Sequence, residues 1–162
     1  MKVIEHLKGL SEERFLSMYE SLAQEGFGPL DHEVAAVLKF RPQAIRKLPM
    51  AKRAKRARAI LLSKARAELC YEFFGTYLIK NRKELVTGFL DATGVEHEDG
   101  MLATLDTNQP DPARIADAVK DLDAKFEPQD VTLYLALCAE QWPMIPELDA
   151  LWRERAGIPV AS

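Results

Sequence analysis

The sequence predicts an all-α protein: an irregular multi-helix bundle of six to eight helices, one of them long and basic in its N-terminal half. Three observations carry this. Apolar residues recur at the i, i+3, i+4, i+7 spacing of a helix face along most of the chain. Proline, glycine and short polar residues fall between those stretches, where helices start and stop. No useful length of sequence alternates apolar with polar, as a half-buried strand would.

The elements follow in order. Ser11 caps a helix whose Phe15, Met18, Tyr19 and Leu22 share one face. Gly26-Phe27-Gly28-Pro29 breaks the chain, and Asp31 is expected to cap a second helix carrying Val34, Val37 and Leu38. That helix should end at Arg41-Pro42, with a short one from Pro42 to Leu48. Pro49 suits the first position of the next helix, where a missing N–H costs nothing. From Met50 to Lys80 there is no proline and only Gly75, so one continuous helix of about 45 Å is expected. Asn81 can serve as the left-handed residue closing that helix or as the cap opening the next, and Glu84 three residues on favours the cap. The helix that follows bears Leu85, Val86, Phe89 and Leu90 and stops at Gly94.

Residues 95–111 read as a polar, acidic loop. Asp111-Pro112 then opens a helix with an apolar stripe of Ile115, Val119, Leu122 and Phe126. Pro128 opens another that is apolar on two faces: Val131, Tyr134, Leu135 and Cys138 on one, Leu133 and Leu137 on the other. It should be central. A last helix near Pro146 to Ala156 offers Leu148, Leu151 and Trp152. Residues 1–162 thus read as a single all-α domain, with N-terminal helices over 1–48, the long basic-to-apolar helix over 49–80 and C-terminal helices over 82–162.

Composition agrees with a folded chain, since 48% of residues are apolar and 29% charged. Cys70 and Cys138 are too few for a disulfide framework and sit in apolar runs, so buried free thiols are expected. Charge returns by Glu5, which leaves no apolar leader at the N-terminus. The longest uncharged stretches, such as Val131 to Ala139, are too short for a bilayer span. A cytoplasmic location is the expectation.

Charge is the feature that points beyond a generic fold. Between Val34 and Ala67 the chain has eleven Lys or Arg and no acidic residue, whereas the rest carries 11 basic against 25 acidic residues. Segregation of that kind costs stability by self-repulsion unless something answers it. On a helix from Met50, the residues Met50, Ala54, Ala57, Leu61 and Ala65 form a narrow strip, and Lys52, Arg53, Lys55, Arg56, Arg58, Lys64 and Arg66 cover the remainder. Alanines bury little apolar area, so that half should be weakly anchored, while Leu69, Tyr71, Phe73, Phe74, Tyr77, Leu78 and Ile79 make the other half a core element.

Arg46, Lys47, Lys52, Arg53, Lys55, Arg56 and Arg58 are therefore the candidate partner-binding residues. The expected partner is an acidic protein surface, a second copy of the chain in a homodimer being one form of it. Residues 91–130 could serve such a copy, with eleven Asp or Glu against Arg114, Lys120 and Lys125. The alternative is nucleic acid bound without sequence specificity. Residues 41–70 have no aromatic platform for bases, and Gln43 is their one amide that could read a base edge. The plainer reading is that the cations solvate a helix face, as charge runs commonly do.

Catalytic signals are thin. His6, His32 and His97 belong to no Glu-x-x-His pair, and there is no phosphate loop, Cys-x-x-Cys or His-Glu-x-x-His. Glu96, His97 and Asp99, in an acidic turn with Glu98, are weak metal-ligand candidates and the basis of a remote metal-enzyme alternative. Successive loop residues do not converge on a point by themselves, so an exposed turn is the simpler reading. No catalytic residue, metal or cofactor is expected, and the function class is a helical interaction protein.

Overall fold

A computed structural model describes residues 2–25, 28–39 and 41–159. Among them are ten α-helices: α1 (Lys2–Gly9), α2 (Glu12–Glu25), α3 (Gly28–Leu38), α4 (Pro42–Arg46), α5 (Met50–Leu61), α6 (Ala67–Asn81), α7 (Lys83–Thr93), α8 (Pro112–Lys125), α9 (Pro128–Gln141) and α10 (Pro146–Ala156). A 3-10 turn (Lys64–Arg66) and one antiparallel hairpin, β1 (His97–Glu98) and β2 (Met101–Leu102), complete the elements. The all-α class is as the sequence predicts. The helix count is above the expected six to eight, because α1 is an additional helix and the long rod is divided.

That division is the main correction to the fold. The helix expected from Met50 to Lys80 stops at Leu61, passes through the 3-10 turn, and restarts at Ala67. The buried stripes explain why. On α5 they are Arg53, Ala54, Ala57, Ile60 and Leu61; on α6, Ala67, Cys70, Phe73, Phe74, Tyr77 and Leu78. At 100° per residue the second stripe lies roughly a third of a turn out of phase with the first, so one straight helix could not bury both. The interruption resets the phase.

The chain divides into two compact units, one over Val3–Tyr77 and one over Leu78–Ser162. In the first, Val3, Ile4 and Leu7 of α1 are buried, as are Phe15, Met18, Tyr19 and Leu22 of α2 and the inner stripes of α3, α5 and α6. Phe15 and Phe73 meet at 5.3 Å between ring centroids, and Phe73 and Phe74 at 5.6 Å. Ser11 caps α2 as expected, accepting from the Arg14 N–H at 3.1 Å. Asp31 does not cap a helix; it lies inside the first turn of α3, which starts at Gly28. Pro49 stands at the N-cap of α5, one place before the expected first-turn position. Gly26, Phe27 and the side chains of Val37, Leu38, Gln43 and Lys64 lie outside the described residues.

In the second unit, α9 is central as predicted, since every residue from Asp130 to Ala139 except Thr132 is buried. Phe89 of α7 packs edge-on against its Tyr134, with centroids 5.3 Å apart. Asp111 accepts from the Ala113 N–H at 3.0 Å and caps α8, and Gly94 closes α7 at φ +78°, a left-handed geometry that glycine adopts without strain. Asn81 is not the N-cap of α7: it is the last residue of α6, and Arg82 occupies that N-cap. Cys70 and Cys138 are buried free thiols, and burial pushes the Cys138 thiol far above its ordinary pKa. No described helix is long and apolar enough to cross a membrane.

Candidate functional site

The two faces of α5 carry cations of opposite fate. Lys52, Lys55 and Arg56 stand at i, i+3, i+4, and all three are exposed. Arg46 at the end of α4 and Lys47 just after it are exposed as well. None of these five side chains has an ion pair or hydrogen bond to another described residue, so their charge faces solvent.

Arg53 and Arg58 behave otherwise, which corrects their placement in an outward cationic surface. Arg53 is 8% exposed and reaches Asp31 of α3, Nη2 to Oδ2, at 3.4 Å. Asp31 also accepts from the Tyr19 hydroxyl at 3.0 Å, and the guanidinium lies 5.6 Å from the Tyr19 ring centroid. Burial and the neighbouring Asp31 carboxylate push the Tyr19 phenol up to about 12, so it remains a donor to that carboxylate. Arg58 turns toward the end of α1, where its Nη2 donates to the carbonyls of Leu7 at 3.1 Å and Leu10 at 2.6 Å. It thereby ties α5 to the carbonyls at the end of α1, adding to the bond that Leu7 O already accepts from the Leu10 N–H at 3.1 Å. Arg66, beyond the helix, pairs with Glu33 at 2.6 Å.

The inward turn of Arg53 has a trace in the sequence. Arg53, Ala57 and Ile60 follow i, i+4, i+7, so a stripe drawn through Ile60 includes Arg53 on the buried side. Arg58 leaves no such trace, because its acceptors are backbone atoms some fifty residues away.

Beside the cationic face, between α2 and α5, runs a groove of about 310 Å³. Phe15, Leu16, Ala51 and Ala54 give it an apolar floor. Lys55 and Arg58 stand on the α5 side, and Glu12 and Glu13 on the α2 side. Lys55 belongs to both groove and stripe. The sequence offers no sign of this groove, since its walls come from separate helices.

The acidic turn is organised as a structural hairpin. Asp99 at φ +57° and Gly100 at φ +93° make the reversal, the left-handed pair that suits a two-residue hairpin. The His97 ring is engaged at both nitrogens, with Nε2 2.6 Å from Asp91 Oδ1 and Nδ1 accepting from the Gly100 N–H at 3.0 Å. Asp99 pairs with Lys83, and the Glu96 N–H donates to Asn108 Oδ1 at 2.7 Å. Among the described residues, no group of three or more His, Cys, Asp or Glu could hold a metal ion. Glu96, His97 and Asp99 are therefore not brought together as ligands.

No protein-family model matches the chain, and neither a curated protein nor a solved structure shows significant similarity to it.

Proposed function

We propose that this protein is a helical interaction module that binds an acidic partner through the outward face of α5. One observation carries the reading: Lys52, Lys55 and Arg56 occupy one exposed turn, and none of them forms an ion pair with a described carboxylate. Like charges at i, i+3 and i+4 repel, so the free protein holds them at a cost that an acidic partner removes. Arg46 and Lys47 extend the same sign of charge upstream. Arg53 and Arg58 leave the binding set and hold the helix in place.

The direct test is titration with poly-L-glutamate and, in parallel, random duplex DNA at 50 and 200 mM salt. Poly-L-glutamate should bind at the lower salt and weaken roughly 10- to 100-fold at the higher, as screening of a few ion pairs requires. Lys52→Glu with Arg56→Glu should abolish binding and leave helical content unchanged, because both side chains are exposed. Failure to bind at 50 mM salt refutes the reading, and preference for DNA replaces the acidic protein with a phosphate backbone.

A further inference from the structure

The second unit displays a feature whose chemistry answers the groove. In the hairpin, Glu98 stands directly opposite Met101, so a carboxylate and a thioether share one face of the ribbon. Met101 is 77% exposed and Leu105 56%, and Glu96, Glu98 and Asp106 around them are exposed too. These are large apolar side chains shown to water in an acidic setting. The segment is firmly held. Asn108 bonds to both ends of it, donating to Glu96 O at 2.8 Å and Ala103 O at 2.9 Å, while the Trp142 indole donates to Asn108 O at 3.3 Å. A held loop loses little conformational freedom on docking.

We propose that the acidic partner is a second copy of this chain, whose 96–106 loop seats Met101 and Leu105 in the groove between α2 and α5. The proposal rests on the reading of α5 above and names the partner of that face. Apolar side chains meet the floor of Phe15, Leu16 and Ala54, while Glu98 and Asp106 lie toward Lys52, Lys55 and Arg56. Glu12 and Glu13 on the far wall set the orientation, since the loop's carboxylates must keep to the α5 side. Groove and loop are different surfaces, so each contact is heterologous. One copy's loop in another's groove is the unit of association.

The experiment is sedimentation equilibrium on the full chain from 1 to 200 µM at low and high salt. The wild type should rise above its 18.3 kDa monomer mass as concentration increases, less so at high salt. Met101→Ser with Leu105→Ser removes the anchors, and Lys52→Glu, Lys55→Glu and Arg56→Glu together reverse the rim. All five residues are exposed, so both variants should fold. Each should weaken self-association tenfold or more. A mixture of the two should regain mass, because one keeps an intact groove and the other an intact loop. A wild type that stays monomeric throughout, or variants that associate undiminished, would overturn the proposal. So would a mixture that stays monomeric. Poly-L-glutamate separates the two levels: a monomer that still binds it through Lys52 and Arg56 loses only the self-docking, whereas one that does not loses the acidic-partner reading as well.

Discussion

The basic segment of the first unit and the acidic segment of the second carry charge in similar density but dispose of it differently. Along residues 91–130 several carboxylates pair with cations of the same unit: Asp99 with Lys83, Asp111 with Arg114, Asp123 with Arg155 and Asp130 with Arg82, while Asp91 hydrogen-bonds the His97 ring. Along residues 34–67 only Arg53 and Arg66 are paired with described carboxylates, and Lys52, Lys55 and Arg56 are left open to water. A charge-rich stretch is thus no single physical object. Charges that pair inside a fold hold it together, and charges left outside are available to something else.

The sharpest test of that contrast lies at Asp130, fully buried and bonded to Arg82 Nε at 2.9 Å. Asp130→Ala should cost about 4 kcal/mol in urea unfolding, since it removes a fully buried carboxylate that is hydrogen-bonded to the half-exposed Arg82 and lies at the favourable N-terminal turn of the central helix. Next comes Arg53→Ala, which leaves Asp31 buried without its cation and should cost about 3 kcal/mol by the same measurement. If Arg53→Ala proved neutral, Arg53 would belong with the solvent-facing cations after all.

A third effect depends on pH. His6 of α1 packs edge-on against Phe74 at 6.1 Å, and burial, helped by the Arg14 charge, lowers its pKa to about 4. The unfolded chain takes up a proton near pH 6.5 while the folded one does not. Stability present above pH 6.5 should therefore decline as pH falls from 6.5 toward 4, by about 2–3 kcal/mol, with no further loss from this group below that. His6→Gln should flatten that slope relative to wild type in unfolding curves between pH 7 and pH 4. The smallest effect belongs to the open face. Lys52→Glu, Lys55→Glu and Arg56→Glu should each shift stability by less than about 0.5 kcal/mol while changing what the protein binds. A large loss of stability from any of them would erase the distinction between the two regions.

Much of the fold was legible in particular residues. Ser11, Asp111-Pro112 and Gly94 mark helix ends by local chemistry alone, and the near-continuous apolar run from Val131 to Ala139 identifies the central helix. Where local chemistry competes with distant packing it misleads. Asp31 has the look of a cap but is drawn to Arg53 and Tyr19. Asn81 has the look of a cap and is a helix end. Between Leu61 and Ala67 no proline or glycine announces the break; only the phase of two apolar stripes does. Of the candidate site, the open cations were visible as a charge run, but their separation from Arg53 and Arg58 was not.

Sequence by itself determined that this chain is helical, which residues line each helix face, and that cation and anion are concentrated in different stretches. Those are properties of neighbours along a helix, set by a repeat of 3.6 residues and by side chains that reach one turn. Tertiary structure alone decided which cations remain available. A long arginine can point several ways, and its choice is made by acceptors delivered from afar: the Asp31 carboxylate for Arg53, and the carbonyls of Leu7 and Leu10 for Arg58. Periodicity gives the angle at which a side chain leaves its helix. What it meets at its tip depends on where the rest of the chain has folded.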